Sequence, residues 1–249
     1  MRSFGQAVST DAEAKTHINL VWLMLHEMHH FQMGHFDNNL ELNLPMTGSD
    51  KEYGLVKRTA KHSETQTKAG AASGLILAMK ADHDATEMLL DAYSSDEWIS
   101  LRIRIAAISA TMMLIERADS SNQTPVITHP KAATRIFQLL GHVIDMPLLA
   151  AHSKANQGSG GLGPPADPPP HAERENYVAQ VVVSAFFDAV SLAKFVAAGS
   201  ITNDLGSATV FFQDIRTAKL VHNSGPSEFI TAGARQWANL ASHRSQTST

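Results

Sequence analysis

Apolar residues recur along this chain in long stretches with helical spacing, and polar, glycine- and proline-rich stretches separate them. Between Ile18 and Met33, Leu20, Val21, Trp22, Leu23, Met24, Leu25, Met28 and Phe31 cover almost every face of a helix. A helix that apolar is a buried one. Thr10 or Asp11 can cap its start, and Gly34 lies near its end at about His35. Residues 36–60 carry Asn38, Asn39, Pro45, Gly48 and Gly54 and read as a loop. A second helix is predicted over 61–93. Ser94-Ser95-Asp96 then caps a third, over 97–117. After the polar stretch 120–128, Pro130 opens a fourth helix at its first turn, where proline is tolerated. Residues 153–172 hold Gly-Ser-Gly-Gly-Leu-Gly-Pro-Pro-Ala-Asp-Pro-Pro-Pro, a linker composition. Helices are again predicted over 173–198, 204–221 and 226–243. Strand signals are weak, so the expected fold is mainly α. The expected organisation is a core over 1–152, a linker over 153–172, a helical region over 173–243 and a disordered tail over 244–249.

At 249 residues, 43% of them hydrophobic, the chain can bury a substantial core. Its formal charge is −4 and its basic residues are scattered, which argues against a nucleic-acid partner. It has no cysteine, so no disulfide framework and no thiolate metal site can form. Any metal must be held by histidine and carboxylate. The first ten residues lack the charged start and apolar core of a secretory signal. The most apolar later stretches, 99–115 and 178–198, are broken by Arg102 and Arg104 and by Asp188 and Lys194. Neither offers about 20 clean apolar residues, so no membrane span is expected. A soluble, cytoplasmic protein is the expectation.

One motif inside the first helix bears chemistry. His26-Glu27-Met28-His29-His30 reads HExxH, the pattern of zinc-dependent peptidases. Residues four apart share a helix face, so His26 and His30 can point at one ion. Glu27 lies about 100° round from His26, within reach of a metal-bound water. Zinc takes neutral imidazole and lowers the pKa of a bound water to about 7, where a carboxylate can accept its proton. With 13 histidines in the chain, chance alone would place the motif somewhere in roughly 3 of 100 shuffles. Its burial raises its weight: polar groups inside so apolar a helix need partners. Core histidines bonded to backbone carbonyls are the plainer alternative. The motif's single ExxH does not make a carboxylate-bridged di-iron bundle, which needs two.

A zinc hydrolase needs a third protein ligand. Ala81-Asp82 lies on the second predicted helix, and His129-Pro130 is followed by Arg135, five residues after the proline. HExxH, an ExxAD-type helix, then His-Pro with that arginine resembles the gluzincin metallopeptidases of the CaaX-prenyl-protease and heat-shock-protease type, and their small soluble relatives. The resemblance covers about residues 15–145, and Gly34-His35 also recurs in such proteins. It implies a zincin-like helical core and a Zn2+ ion on His26 and His30. It further implies Glu27 as general base and a peptide or protein substrate. The chain departs from the pattern at one point: the glutamate expected four residues before Asp82 is Ala78, and Lys80 stands where a second acid is often found. Asp82 is then the leading candidate for third ligand, although in that family the aspartate more often supports a ligand histidine. His83, Asp84, Glu64, Glu87 and His62 stay open as substitutes, as does a site with no third ligand. His129 and Arg135 read first as structural, and His29 and His35 as neighbours of the site. Only 25 residues precede His26, short of the small β-sheet that gluzincins usually place there. Two functions follow as expectations: a zinc-dependent metallopeptidase, or a catalytically inactive zincin-like fold serving as an interaction or regulatory module.

Overall fold

The computed structural model describes residues 4–32, 68–90, 93–121, 129–158, 167–220 and 225–247. Among them every regular element is helical, so the fold is mainly α, as the apolar spacing predicts. The first four helices are α1 (Phe4–Gln32), α2 (Lys68–Leu90), α3 (Trp98–Ser121) and α4 (Ala132–Gly158). The later ones are α5 (His171–Tyr177), α6 (Ser184–Phe195), α7 (Gly199–Leu205), α8 (Ala208–Leu220) and α9 (Ala232–Thr247).

Several boundaries differ from those read in the sequence. The end of the first helix near His35 and the start of the second at 61 lie outside the described residues. α3 runs on to Ser121, four residues past the expected stop, and so carries Asp119. α4 continues to Gly158, six residues into the expected linker, because Ala151 to Gln157 includes neither glycine nor proline. The helix expected over 173–198 begins at His171 and is joined through a π-helical turn, Val178–Val183, to α6. The helix expected over 204–221 is α8, which starts at Ala208; the short α7, Gly199–Leu205, precedes it and is parted from it at Gly206, whose φ is +71°. That left-handed conformation suits glycine and breaks the run.

The core is shared along the chain. Trp22 of α1, Ile105 and Ile108 of α3, and Ile136 and Leu140 of α4 are buried in one cluster with Val181, Phe186, Phe211 and Phe229. Phe137 of α4 packs edge-on against Phe211 and Phe229 and lies against Trp237 of α9. The buried Tyr177 hydroxyl donates to the Val143 carbonyl at 2.9 Å, tying α5 to α4. The helical region beyond the proline-rich stretch therefore closes over α3 and α4 and contributes to their core, instead of forming one of its own.

Two stretches, Ser95–Ser120 and His171–Phe195, are long and apolar enough to cross a membrane by length and composition. Less than half of each is buried, 44% and 33% of the respective windows. The charges that interrupt them meet: Arg102 donates from Nε and Nη2 to both oxygens of Asp188, at 2.7 and 2.8 Å.

For the site, the contact between α1 and α2 matters most. Ala78, Asp82, Ala85 and Thr86 of α2 are all buried, and their spacing puts them on one stripe. Two of these four are alanines, so α1 can approach closely. Trp22 donates its indole N–H to Thr86 Oγ1 at 3.2 Å across that contact.

Candidate metal centre

His26 and His30 lie one turn apart on α1, both facing inward and buried, at 0% and 4% exposure. Their Nε2 atoms are 3.0 Å apart. Two neutral imidazoles at that distance share one hydrogen bond, one ring donating and the other accepting. Tetrahedral zinc at about 2.0–2.1 Å from each nitrogen would set them about 3.4 Å apart, so a few tenths of an ångström separate the two arrangements.

The third member is His129, just ahead of α4. Its ring centroid is 5.4 Å from that of His26 and 6.4 Å from that of His30. One nitrogen from each of His26, His30 and His129 can be chosen so that all lie within 4.8 Å of one another. The start of α4 is pinned on two sides. Glu116 of α3 accepts from the Ala132 N–H. Gln236 of α9 accepts from the Lys131 N–H at 3.2 Å and from the Thr134 hydroxyl at 2.6 Å. Behind His129, Asp119 Oδ2 stands 3.6 Å from Nδ1. Burial holds the His129 pKa below the ordinary imidazole value. Asp119 opposes that shift, while Arg135 and His26 push the same way. The net shift favours the neutral ring, the form a metal ligand takes.

Asp82 takes a different place from the one first expected of it. Its Oδ1 is 2.9 Å from Nδ1 of His26, on the opposite side of that ring from the nitrogen facing His30. The approach is off-axis, so Nδ1 has no well-aligned hydrogen-bond partner. Both Asp82 oxygens also accept from Arg135, from Nε at 2.6 Å and Nη2 at 2.7 Å. Its oxygens are turned to Arg135 and the back of His26, and Asp82 is not in the group whose donor atoms converge with His30. One helical turn after Ala78, the short aspartate side chain meets the flank of His26. This is the carboxylate–histidine arrangement that fixes ring orientation and raises basicity in metal sites.

Asp82 and Arg135 are both buried, at 2% and 1% exposure. Burial by itself would raise the Asp82 carboxyl. The Arg135 charge and its two hydrogen bonds, with the close approach of His26, outweigh burial and hold the group well below the usual carboxylate range. Arg135 is placed in turn by Trp22, whose ring centroid lies 5.7 Å from the guanidinium carbon and which also stacks on His26. His26 is thus held between an indole and a paired carboxylate.

The remaining expected residues fall as follows. Glu27 is exposed. His29 turns away, its Nδ1 donating to the Leu25 carbonyl at 3.0 Å, with Asp84 3.9 Å from its other nitrogen. His83 and Glu87 pair with each other on another face of α2, at 3.5 Å. His35, His62 and Glu64 lie outside the described residues. The sequence reading missed the part His129 plays. The His-Pro signal was visible, but it serves equally well to open a helix. Nothing local in the sequence tells that α4 starts against α1.

Comparison with protein-family models, with curated proteins and with solved structures returned no match. The chemistry of the site is therefore argued from its own residues. Three imidazoles, two of them backed by carboxylates, form a donor set that suits zinc, copper, nickel or iron and not magnesium or calcium. The fit is supported by the convergence of one nitrogen from each ring and by the Asp82 carboxylate 2.9 Å from the buried Nδ1 of His26.

Proposed function

We propose that this chain is a zinc-dependent hydrolase of peptide bonds, with the metal held by His26, His30 and His129. The observation that supports this most is the convergence of His129 on the HExxH pair, because it supplies a third ligand where Ala78 cannot. Three protein ligands leave a fourth position for water, the mark of a catalytic zinc and not a structural one. Zinc bound there supplies a Lewis acid, which lowers the pKa of that water and polarises a carbonyl.

The chain's own residues do the rest. Asp82 and Arg135 hold the His26 ring and fix which nitrogen carries its proton. Asp119 does the same for His129 at longer range. Glu27, which is exposed, accepts the proton of the attacking water and delivers it to the leaving amine. Its place one residue after His26 keeps it off the ligand face but next to the water position. The protein substrate and the HExxH chemistry are carried by the resemblance to gluzincins, and the ligand set differs from theirs at the third position.

The test is elemental analysis of purified protein together with a peptidase screen. One zinc lost on His30→Ala and again on His129→Ala, with hydrolysis abolished by Glu27→Gln, is the expected pattern. Retention of that zinc in His129→Ala would overturn the ligand set. If His30→Ala and His129→Ala change neither metal content nor hydrolysis, the three histidines serve only to join α1, α2 and α4, and the inactive-fold reading takes over.

A further inference from the structure

About a quarter-turn round α2 from Asp82, a second group of metal-ligating side chains comes together. His83 follows Asp82 directly and so points about 100° away from it. Glu87 lies one turn further on, its Oε1 3.5 Å from His83 Nε2. His142 reaches in from α4, its ring edge-on to that of His83 with centroids 5.0 Å apart. One donor atom from each of the three can be chosen so that all lie within 4.8 Å of one another.

We propose that His83, Glu87 and His142 form a second site for a divalent transition-metal ion, separate from the HExxH centre. The donor set, two imidazoles and a carboxylate, is one that zinc accepts. Tetrahedral zinc requires donors about 3.4 Å apart. The His83–Glu87 pair already stands at 3.5 Å, and closing the remaining separation needs about 1 Å of side-chain movement. His83 and Glu87 are partly exposed, at 41% and 52% of their side chains, so that movement is open to them. An i,i+4 His–Glu pair alone is ordinary helix-surface decoration. The arrival of His142 from a different helix is what makes this a site.

The surroundings fit a cation with open coordination positions. His83 and His142 line a cleft of about 560 Å³ whose wall also carries Asp84, Gln138 and Asp145. The nearby cation Lys219 is occupied: it pairs with Asp145 and donates to the Gly141 carbonyl at 3.2 Å. It therefore leaves Glu87 free to serve the histidines. Lys80 also borders the cleft, three residues from His83 and so on a neighbouring part of the same face. An ion here ties α2 to α4, the two helices that bring Asp82 and Arg135 together. The HExxH centre and this site then stand on either side of one buried ion pair.

The test uses the full chain, stripped of metal and titrated with zinc(II), with stoichiometry read by elemental analysis and calorimetry. Cobalt(II) serves as an absorbing reporter of coordination. Wild type is expected to take two ions. His142→Ala and the surface variant His83→Asn should each lose one, while His26→Ala loses the other. Circular dichroism of each variant confirms that it is folded. Saturating zinc should raise the melting temperature of His26→Ala and leave that of the double variant His26→Ala/His142→Ala unchanged. If His83→Asn and His142→Ala both bind as many ions as wild type, the proposal is wrong. Because the two centres share no ligand, loss of an ion in these variants supports the second site whatever becomes of the first.

Discussion

Replacing Asp82 with asparagine removes one charge and almost no volume, so it isolates the electrostatic part of the site. In the native protein the carboxylate answers two groups at once. It accepts two short bonds from Arg135 and stands 2.9 Å from His26. All three residues are buried, at 2%, 1% and 0% exposure. Asparagine leaves the buried Arg135 guanidinium without its charge partner. Breaking one side of a buried ion pair costs about 3–5 kcal/mol. At about 2–4 °C per kcal/mol for a chain of this size, the melting temperature should fall by roughly 6–20 °C. The same change should weaken zinc binding about 10–100-fold, the usual effect of losing the carboxylate behind a ligand histidine. Thermal unfolding by circular dichroism reads the first effect, and competition with a zinc chelator reads the second. The double variant Asp82→Asn/Arg135→Met should recover much of the stability and none of the zinc affinity. A melting temperature within about 2 °C of wild type, with unchanged zinc affinity, would refute the account of both roles.

The same pair fixes a pH dependence. The Asp82 carboxyl is depressed in the folded chain, through Arg135 and His26 and against its burial. A group with a lowered folded pKa contributes stability that is complete above its unfolded value, about 3.9, and fades as pH falls toward the folded value. Wild type should therefore lose stability progressively in denaturant melts taken from about pH 5 downward. Asp82→Asn should lack that component, and the two curves should converge in acid. Parallel curves would mean that Asp82 is not held low.

Glu27→Gln should abolish hydrolysis and leave zinc content nearly intact, while His26→Ala loses both. Measurement of the two in parallel separates base from ligand. His129→Ala should release the zinc of the HExxH centre without unfolding the chain, a result read by metal content against circular dichroism. Gly233→Ala should destabilise by about 1–3 kcal/mol in urea melts, because its Cβ would lie 2.9 Å from the Ala133 carbonyl oxygen, where α9 meets α4. Tyr177→Phe should cost about 1 kcal/mol in the same assay, through loss of its bond to the Val143 carbonyl.

What could be read from the sequence was what depends on local spacing. The mainly helical class follows from apolar periodicity. The pairing of His26 with His30 follows from a helix repeat of 3.6 residues. Both are buried, but the helix around them is not buried on every side as its apolar run predicts: Leu20, Val21, Met24, Met28 and Phe31 are exposed, and the buried face carries Trp22, His26 and His30. What could not be read depends on which helices meet. His129 is 99 positions from His30 in the chain, and only the packing of α3, α4 and α9 around the start of α4 sets it beside α1. Asp119 was hidden for a related reason, since the stop of α3 was placed before it. The chemistry of Asp82 as a possible ligand was legible, but that it meets His26 and Arg135 depends on how α2 packs against α1 and α4.

Ala78 ties these points together. In the sequence it marks a missing ligand, because the resemblance expects glutamate there. In the structure it is fully buried on the α2 stripe that includes Asp82 and Thr86, where α1 packs. Replacing it with a longer acid would force α1 away from α2. That would stretch both the 2.9 Å contact from His26 to Asp82 and the 3.2 Å bond from Trp22 to Thr86. The chain has the close packing, which holds His26 against its carboxylate, and a third imidazole arrives from the start of α4. Alanine at 78 removes one candidate ligand, and under the proposed ligand set His129 takes that place.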